Sequence, residues 1–221
     1  MLSTLIRRCF KTDFKLLQKF RVKMKFRYLI FGLMFFVTVA EEKSPPIDLL
    51  TADKDWYIED LKFPLGFAQE ITLKGDVNLR FPPGWSKKES PNFWSYVWAW
   101  QLTEDSDGLN ESELKENIEL YFDGLLGINS NELNNNERLK KTTTATFILK
   151  KENASESRYI GEVKTIDTRY TKKPMTLFVQ LEQYYCKKEN KSVLLFRYSP
   201  KTYEHSVWKT LSSVKLVSFR C

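Results

Sequence analysis

The order of periodic segments predicts an α+β fold: an antiparallel β-sheet of about five to seven strands, with a central amphipathic helix over 111–126 and a C-terminal helix. Three observations carry this. Residues 92–102 (NFWSYVWAWQL) alternate large and small side chains with the period of a strand. Residues 111–126 carry apolar side chains at helical spacing behind a capping pattern. The second half holds four β-branched or aromatic runs separated by short polar breaks.

Val77, Leu79 and Phe81 alternate with Asn78 and Arg80, which reads as a strand; Pro82-Pro83-Gly84 ends it, since proline cannot donate to a ladder. In the next strand Trp94, Tyr96, Trp98 and Trp100 share one face. Ser95, Val97 and Ala99 on the other are small, which predicts an element packed closely there and a strand buried on both sides. Asn110 stands three residues before Glu113, a capping-box spacing. Leu114, Ile118, Tyr121, Phe122 and Leu125 follow on one helical stripe, and Gly127 is a natural stop. The runs 142–151, 158–167, 174–186 and 192–199 form an antiparallel meander with hairpin-length breaks. Val207, Trp208, Leu211, Val214 and Val217 or Ser218 predict a closing helix over one sheet face.

The chain divides into a targeting region over 1–40, a flexible, acidic and proline-containing lead-in over 41–60, and one globular domain over 61–221. Residues 28–40 (YLIFGLMFFVTVA) are 13 mostly apolar residues without charge. A membrane-spanning helix needs about 20, so the run matches the core of a secretory signal peptide over 24–40. Lys25 and Arg27 precede it, and Thr38 and Ala40 place cleavage before Glu41. No transmembrane anchor is then left, and the destination is periplasmic or extracellular. Met24 makes a conventional start; otherwise the basic stretch 1–23 reads as an organelle transit peptide.

Charge follows the same division. The whole chain carries +7, which invites a nucleic-acid reading, but residues 1–40 hold nine basic residues and one acid. The remainder is −1, so the excess belongs to the address and nucleic acid is not expected as a partner. Within the body, residues 41–136 carry −11 and residues 137–221 carry +10. The doublets Lys140-Lys141, Lys150-Lys151, Lys172-Lys173 and Lys187-Lys188 would suit an anionic surface. They equally suit edge protection in a domain whose two halves pack together, which is the favoured reading.

Sites are few. His205 is the sole histidine, so any centre needing two is excluded; it is expected to cap the last helix. No phosphate-binding glycine loop, nucleophile elbow or four-cysteine zinc motif occurs, and no cofactor or metal is expected. The carboxylates Glu59, Asp60, Glu70 and Asp76 have no spacing that singles out a catalytic pair. Glu104, Asp105 and Asp107 lack the pattern of a calcium loop. Trp94, Trp98 and Trp100 are expected in the core. Trp85, on a turn, is the one candidate ligand contact. Cys186 and Cys221 can close a disulfide around 34 intervening residues in an oxidising compartment, or remain two separate thiols. Asn110, Asn153 and Asn190 lie in glycosylation sequons, which matter only in a eukaryotic secretory host.

The segments FPLGFAQEI (63–71), LRFPPGW (79–85), FWSYVWAW (93–100), YFDGL (121–125), YSP (198–200) and SFRC (218–221) resemble an uncharacterised family of exported bacterial proteins. The resemblance implies export and a single domain and transfers no catalytic residue. The layout, with the ending Leu211, Val214, Ser218 and Phe219, is similar to the PsbP/Mog1-like α/β/α sandwich, whose members include exported accessory factors. The reading is therefore an exported, non-enzymatic accessory or ligand-binding domain. Another envelope protein or an anionic surface is the expected partner. The alternatives are a carboxylate-based hydrolase with an aromatic-lined cleft and a membrane-surface protein.

Overall fold

The computed structural model describes residues 48–104, 107–127 and 143–217. The targeting region, residues 41–47 of the lead-in, Asp105, Lys140-Lys141, Ser218 and Cys221 lie outside them.

The strands are β1 (Tyr57–Lys62), β2 (Gly75–Phe81), β3 (Tyr96–Thr103), β4 (Thr144–Glu152), β5 (Glu156–Asp167), β6 (Lys173–Cys186) and β7 (Lys191–Ser199). Helix α1 (Glu111–Leu125) lies between β3 and β4, and α2 (Val207–Leu211) follows β7. The strands form one seven-stranded sheet in the order β1-β2-β3-β7-β6-β5-β4, antiparallel at every junction. The fold is therefore a sheet-rich α+β arrangement with two short helices. The four-strand meander expected from 142 onward is β4 to β7.

Burial on both faces explains why β3 and β7 lie in the middle. On one face Trp98, Trp100, Leu194, Phe196 and Tyr198 pack beneath Leu114, Ile118, Tyr121 and Phe122 of α1. On the other, Val97, Ala99, Val193 and Leu195 meet Val207, Trp208 and Leu211 of α2, with Leu49, Leu50 and Trp56 alongside. The small side chains of β3 are the seat for α2, as their size predicted. The Trp208 indole N–H donates to the carbonyl of Thr202 at 2.8 Å and so ties α2 to the loop after β7.

Helix α1 begins as its sequence specifies. The Asn110 side chain accepts the amides of Ser112 and Glu113, and Glu113 accepts the Asn110 amide at 2.8 Å. Gly127 ends it with φ +69°, a conformation that costs glycine nothing. Gly75 opens β2 with φ +135°; an added Cβ there would fall 1.8 Å from the Gln101 carbonyl oxygen.

Three expectations change. Residues 48–60 are not a flexible lead-in. Leu49, Leu50 and Trp56 are buried, and Tyr57 onward forms β1. Their apolar residues are sparse in sequence because an edge strand and its approach bury only part of their side chains. The closing helix is also shorter than its periodicity predicted. It stops at Leu211, Val214 is buried through a turn, and Leu216 bridges Leu50 in extended form. That late pairing with the start of the domain outcompetes helix continuation. Finally, Trp94 precedes β3 in a turn with φ +53°, although it is buried in the same cluster as Trp98.

Candidate functional site

The turn after β2 places Trp85. Its amide donates to the Pro82 carbonyl at 3.1 Å, and its own carbonyl accepts the Trp94 amide at 2.8 Å. The segment 82–95 therefore folds back, and the half-buried Trp85 ring packs on Phe81 with centroids 4.5 Å apart.

The β5–β6 turn approaches from the other side. Asp167, buried at the end of β5, accepts the amides of Arg169, Tyr170 and Thr171 and the Thr171 hydroxyl. Burial alone would raise its pKa; these hydrogen bonds outweigh it and hold the carboxyl below its ordinary value. The turn so fixed presents Tyr170 edge-on to Trp85, Phe93 and Trp94, at 6.3, 5.7 and 5.8 Å. It also presents Arg169, whose guanidinium donates to the Leu125 carbonyl at 2.7 Å. The last turn of α1 holds no basic residue of its own, and Arg169 supplies the positive charge that a helix C-terminus favours.

The third side is β1. Its register with β2 puts Tyr57 opposite Phe81 and Glu59 opposite Leu79, so both face α1. Tyr57 and Phe81 lie 5.8 Å apart. Burial raises the Glu59 carboxyl; the Arg169 charge opposes that shift and Asp60 adds to it. Tyr121 below is raised by burial and by Glu59. The result is a partly exposed rim of Tyr57, Trp85, Phe93 and Tyr170, with one carboxylate and one guanidinium beside it. Such a rim offers ring surfaces and two opposite charges to a ligand.

The other tryptophans are packing. Trp94, Trp98 and Trp100 are buried, and Trp98 meets Tyr121 edge-on at 4.2 Å. Their indole N–H groups and the Tyr96 and Tyr198 hydroxyls have no hydrogen-bond partner among the described residues. Burial pushes both phenols well above their ordinary pKa. The aromatic strand therefore lines the core beneath α1.

The four candidate carboxylates do not converge. Asp60 turns to the opposite face, where it accepts from Asn78 at 2.6 Å and from the buried Arg80 at 3.2 Å. Asp76 pairs with Lys62 at 3.6 Å, and Glu70 is exposed. Glu104 pairs with Lys74 and Asp107 with Lys187, each at the protein surface. His205 accepts the Val207 amide at 3.1 Å, at the start of α2. Lys150-Lys151 and Lys187-Lys188 lie at one end of the sheet and Lys172-Lys173 at the other. Cys186 is buried at the end of β6. Arg169 and Tyr170 were not singled out from sequence; an aspartate followed by Thr-Arg-Tyr-Thr between two strand patterns is the turn signal that marks them.

No protein-family model, no curated protein and no solved structure matches this chain.

Proposed function

We propose that this chain is an exported, non-enzymatic accessory or ligand-binding domain whose binding surface is the rim around Trp85. The observation that carries the reading is the contrast between two sets of aromatics. Trp94, Trp98 and Trp100 are consumed by the core, whereas Trp85, Phe93, Tyr170 and Tyr57 keep exposed surface beside Glu59 and Arg169. Export rests on residues 24–40, and kinship with exported bacterial proteins rests on the resembling segments. A helix on each face of an antiparallel sheet supports the PsbP/Mog1-like α/β/α layering and the accessory role that goes with it. A hydrolase would need a second acid beside Glu59, and Asp60 faces away. A basic membrane-facing surface would need the lysine doublets on one side, and those described are divided between two ends.

Intrinsic tryptophan fluorescence tests this reading. The folded chain is titrated with a panel of soluble oligosaccharides and short peptides. A saturable change that Trp85→Ala removes supports the rim as the site. A panel-wide absence of change, or a change that Trp85→Ala retains, refutes it.

A further inference from the structure

The two faces of the sheet are not covered alike. On the α1 side, Ala145 and Phe147 of β4 and Tyr159 and Val163 of β5 enter the core. The core beneath α2 draws on β3 and β7 and, at its margin, on Phe178 and Tyr184 of β6; among the described residues β4 and β5 add nothing to it. On that uncovered side Ile148 of β4 stands directly opposite Ile160 of β5, and Ile160 opposite Gln180 of β6. Ile148 is 56% exposed.

Along the same face β5 carries Glu156, Arg158, Ile160, Glu162 and Lys164. Their charges run minus, plus, none, minus, plus, an order that changes sign about Ile160. The Arg158, Glu162 and Lys164 side chains are 49%, 42% and 64% exposed. Within one chain Arg158 lies 3.4 Å from Glu156 and Lys164 lies 3.5 Å from Glu162. Exposed pairs of this kind stabilise a fold little.

A twofold axis along the row Ile148, Ile160 and Gln180 lays this face of one chain on the same face of another, with the two β5 strands antiparallel. Ile148 and Ile160 then meet their own counterparts. Arg158 meets Glu162 of the second copy and Lys164 meets its Glu156, each contact occurring twice, as a closed twofold interface requires. A parallel stacking would instead set every charge against its own kind. The other charges fit the same axis. Lys150 and Lys151 stand at the Arg158 end, which the axis sets against Glu162 of the other copy and away from the second pair of lysines. Arg197 and Glu182 neutralise each other. We propose that the uncovered face of β4 and β5 docks a second copy of this chain about that axis, with the sheets diverging towards β7 to clear α2. Three strands about 4.8 Å apart and nine residues of about 3.4 Å give roughly 400 Å² per copy. That is about half the area each partner gives to a standard interface, so the dimer is weak and concentration dependent. The surface lies on the opposite face of the sheet from the Trp85 rim, shares no residue with it and goes beyond the function proposed above.

Sedimentation velocity over a concentration series tests the axis. The unaltered chain is expected to move from monomer toward dimer as concentration rises. Arg158→Glu and Glu162→Arg each set like charges across the axis, so either variant alone should stay monomeric over the same series. Mixed in equal amounts they restore opposite charges at both contacts, and the mixture should regain the dimer. A monomer throughout the unaltered series, association that either variant retains alone, or a mixture that stays monomeric overturns the proposal. Should a variant unfold, carbodiimide cross-linking of isotope-labelled with unlabelled unaltered chains decides. Glu156 and Lys164 lie eight strand residues apart, about 27 Å, too far for a direct amide within one chain. A Lys164–Glu156 amide joining a labelled to an unlabelled chain supports the axis, and its absence overturns it.

Discussion

Glu119, buried on α1, accepts a 3.0 Å hydrogen bond from the amide of Ala145 on the edge strand β4. Lys115, one turn earlier on α1, holds the same carboxylate at 3.1 Å. Eight residues before Glu119, Glu111 accepts the Leu149 amide. Eight helical residues span about 12 Å and four strand residues about 13 Å, so the two spacings match. A helix laid along a sheet edge can therefore satisfy every fourth strand residue with one carboxylate. Both carboxylates are matched here by backbone amides of β4, and the one ammonium beside Glu119, that of Lys115, belongs to the acidic half itself.

Replacing Glu119 by Ala leaves the Ala145 amide buried without its acceptor, a cost of about 1–3 kcal/mol. Urea unfolding should show that loss, with Glu119→Gln retaining most of the stability because its amide oxygen still accepts. The freed β4 edge should also raise concentration-dependent aggregation of the Ala variant. Equal midpoints for Ala and Gln would refute the role of the acceptor.

Asp167 organises the turn that carries Arg169 and Tyr170. Asp167→Ala removes the acceptor for three amides and a hydroxyl, a loss of about 2–4 kcal/mol. The sign of the pH dependence follows from a folded-state pKa held below the ordinary 3.8. The stabilisation is complete above that ordinary value and disappears as pH falls through the lower, folded value. The gap between wild type and Asp167→Ala should thus be full at pH 7 and close in strong acid. A gap that persists unchanged at pH 2 would show that packing, not the carboxylate, holds the turn.

The sequence made the interior of the fold legible and the rim only in part. The α1 capping box, the Trp stripe of β3 and the meander from β4 to β7 are written in local periodicity, where side-chain burial repeats every second or every 3.6 residues. β1 escaped because an edge strand buries one face incompletely; Tyr57 and Ile58 are exposed on adjacent positions, which breaks alternation. The end of α2 escaped because Leu216 pairs with Leu50, a contact across most of the domain that no local pattern encodes. Trp85 stood out as a turn aromatic. Tyr170, 85 positions later, joins it only through strand order, and the same holds for Glu59 beside Arg169.

Cys186 is buried on the face of β6 that looks toward α2. The pairing with Cys221 anticipated from export predicts that the purified, secreted chain is 2 Da lighter than its reduced form by intact mass. A disulfide-linked peptide should join the two cysteines in a non-reducing digest. Reduction should then cost about 3–4 kcal/mol from the loop-entropy model. Two alkylatable thiols in the secreted, denatured protein would end the expectation.

Glu59 gives the opposite sign from Asp167. Burial raises its folded-state pKa above the ordinary 4.5, and Arg169 offsets part of the shift. Between the unfolded and folded values the folded chain binds more protons than the unfolded one, so stability falls as pH rises through that window. Glu59→Gln, which cannot ionise, should match wild type well below pH 4.5 and be more stable at pH 7. Arg169→Gln removes the opposing charge and so should enlarge the stabilisation that Glu59→Gln brings at pH 7. A double-mutant cycle across the two positions reads that coupling directly. Two independent, additive substitutions would place the carboxyl in solvent, away from Arg169, and remove Glu59 from the rim. A cycle with coupling at pH 7 that vanishes below pH 4 would instead show a carboxylate whose charge is felt only inside the rim, as its position opposite Leu79 and above Tyr121 requires.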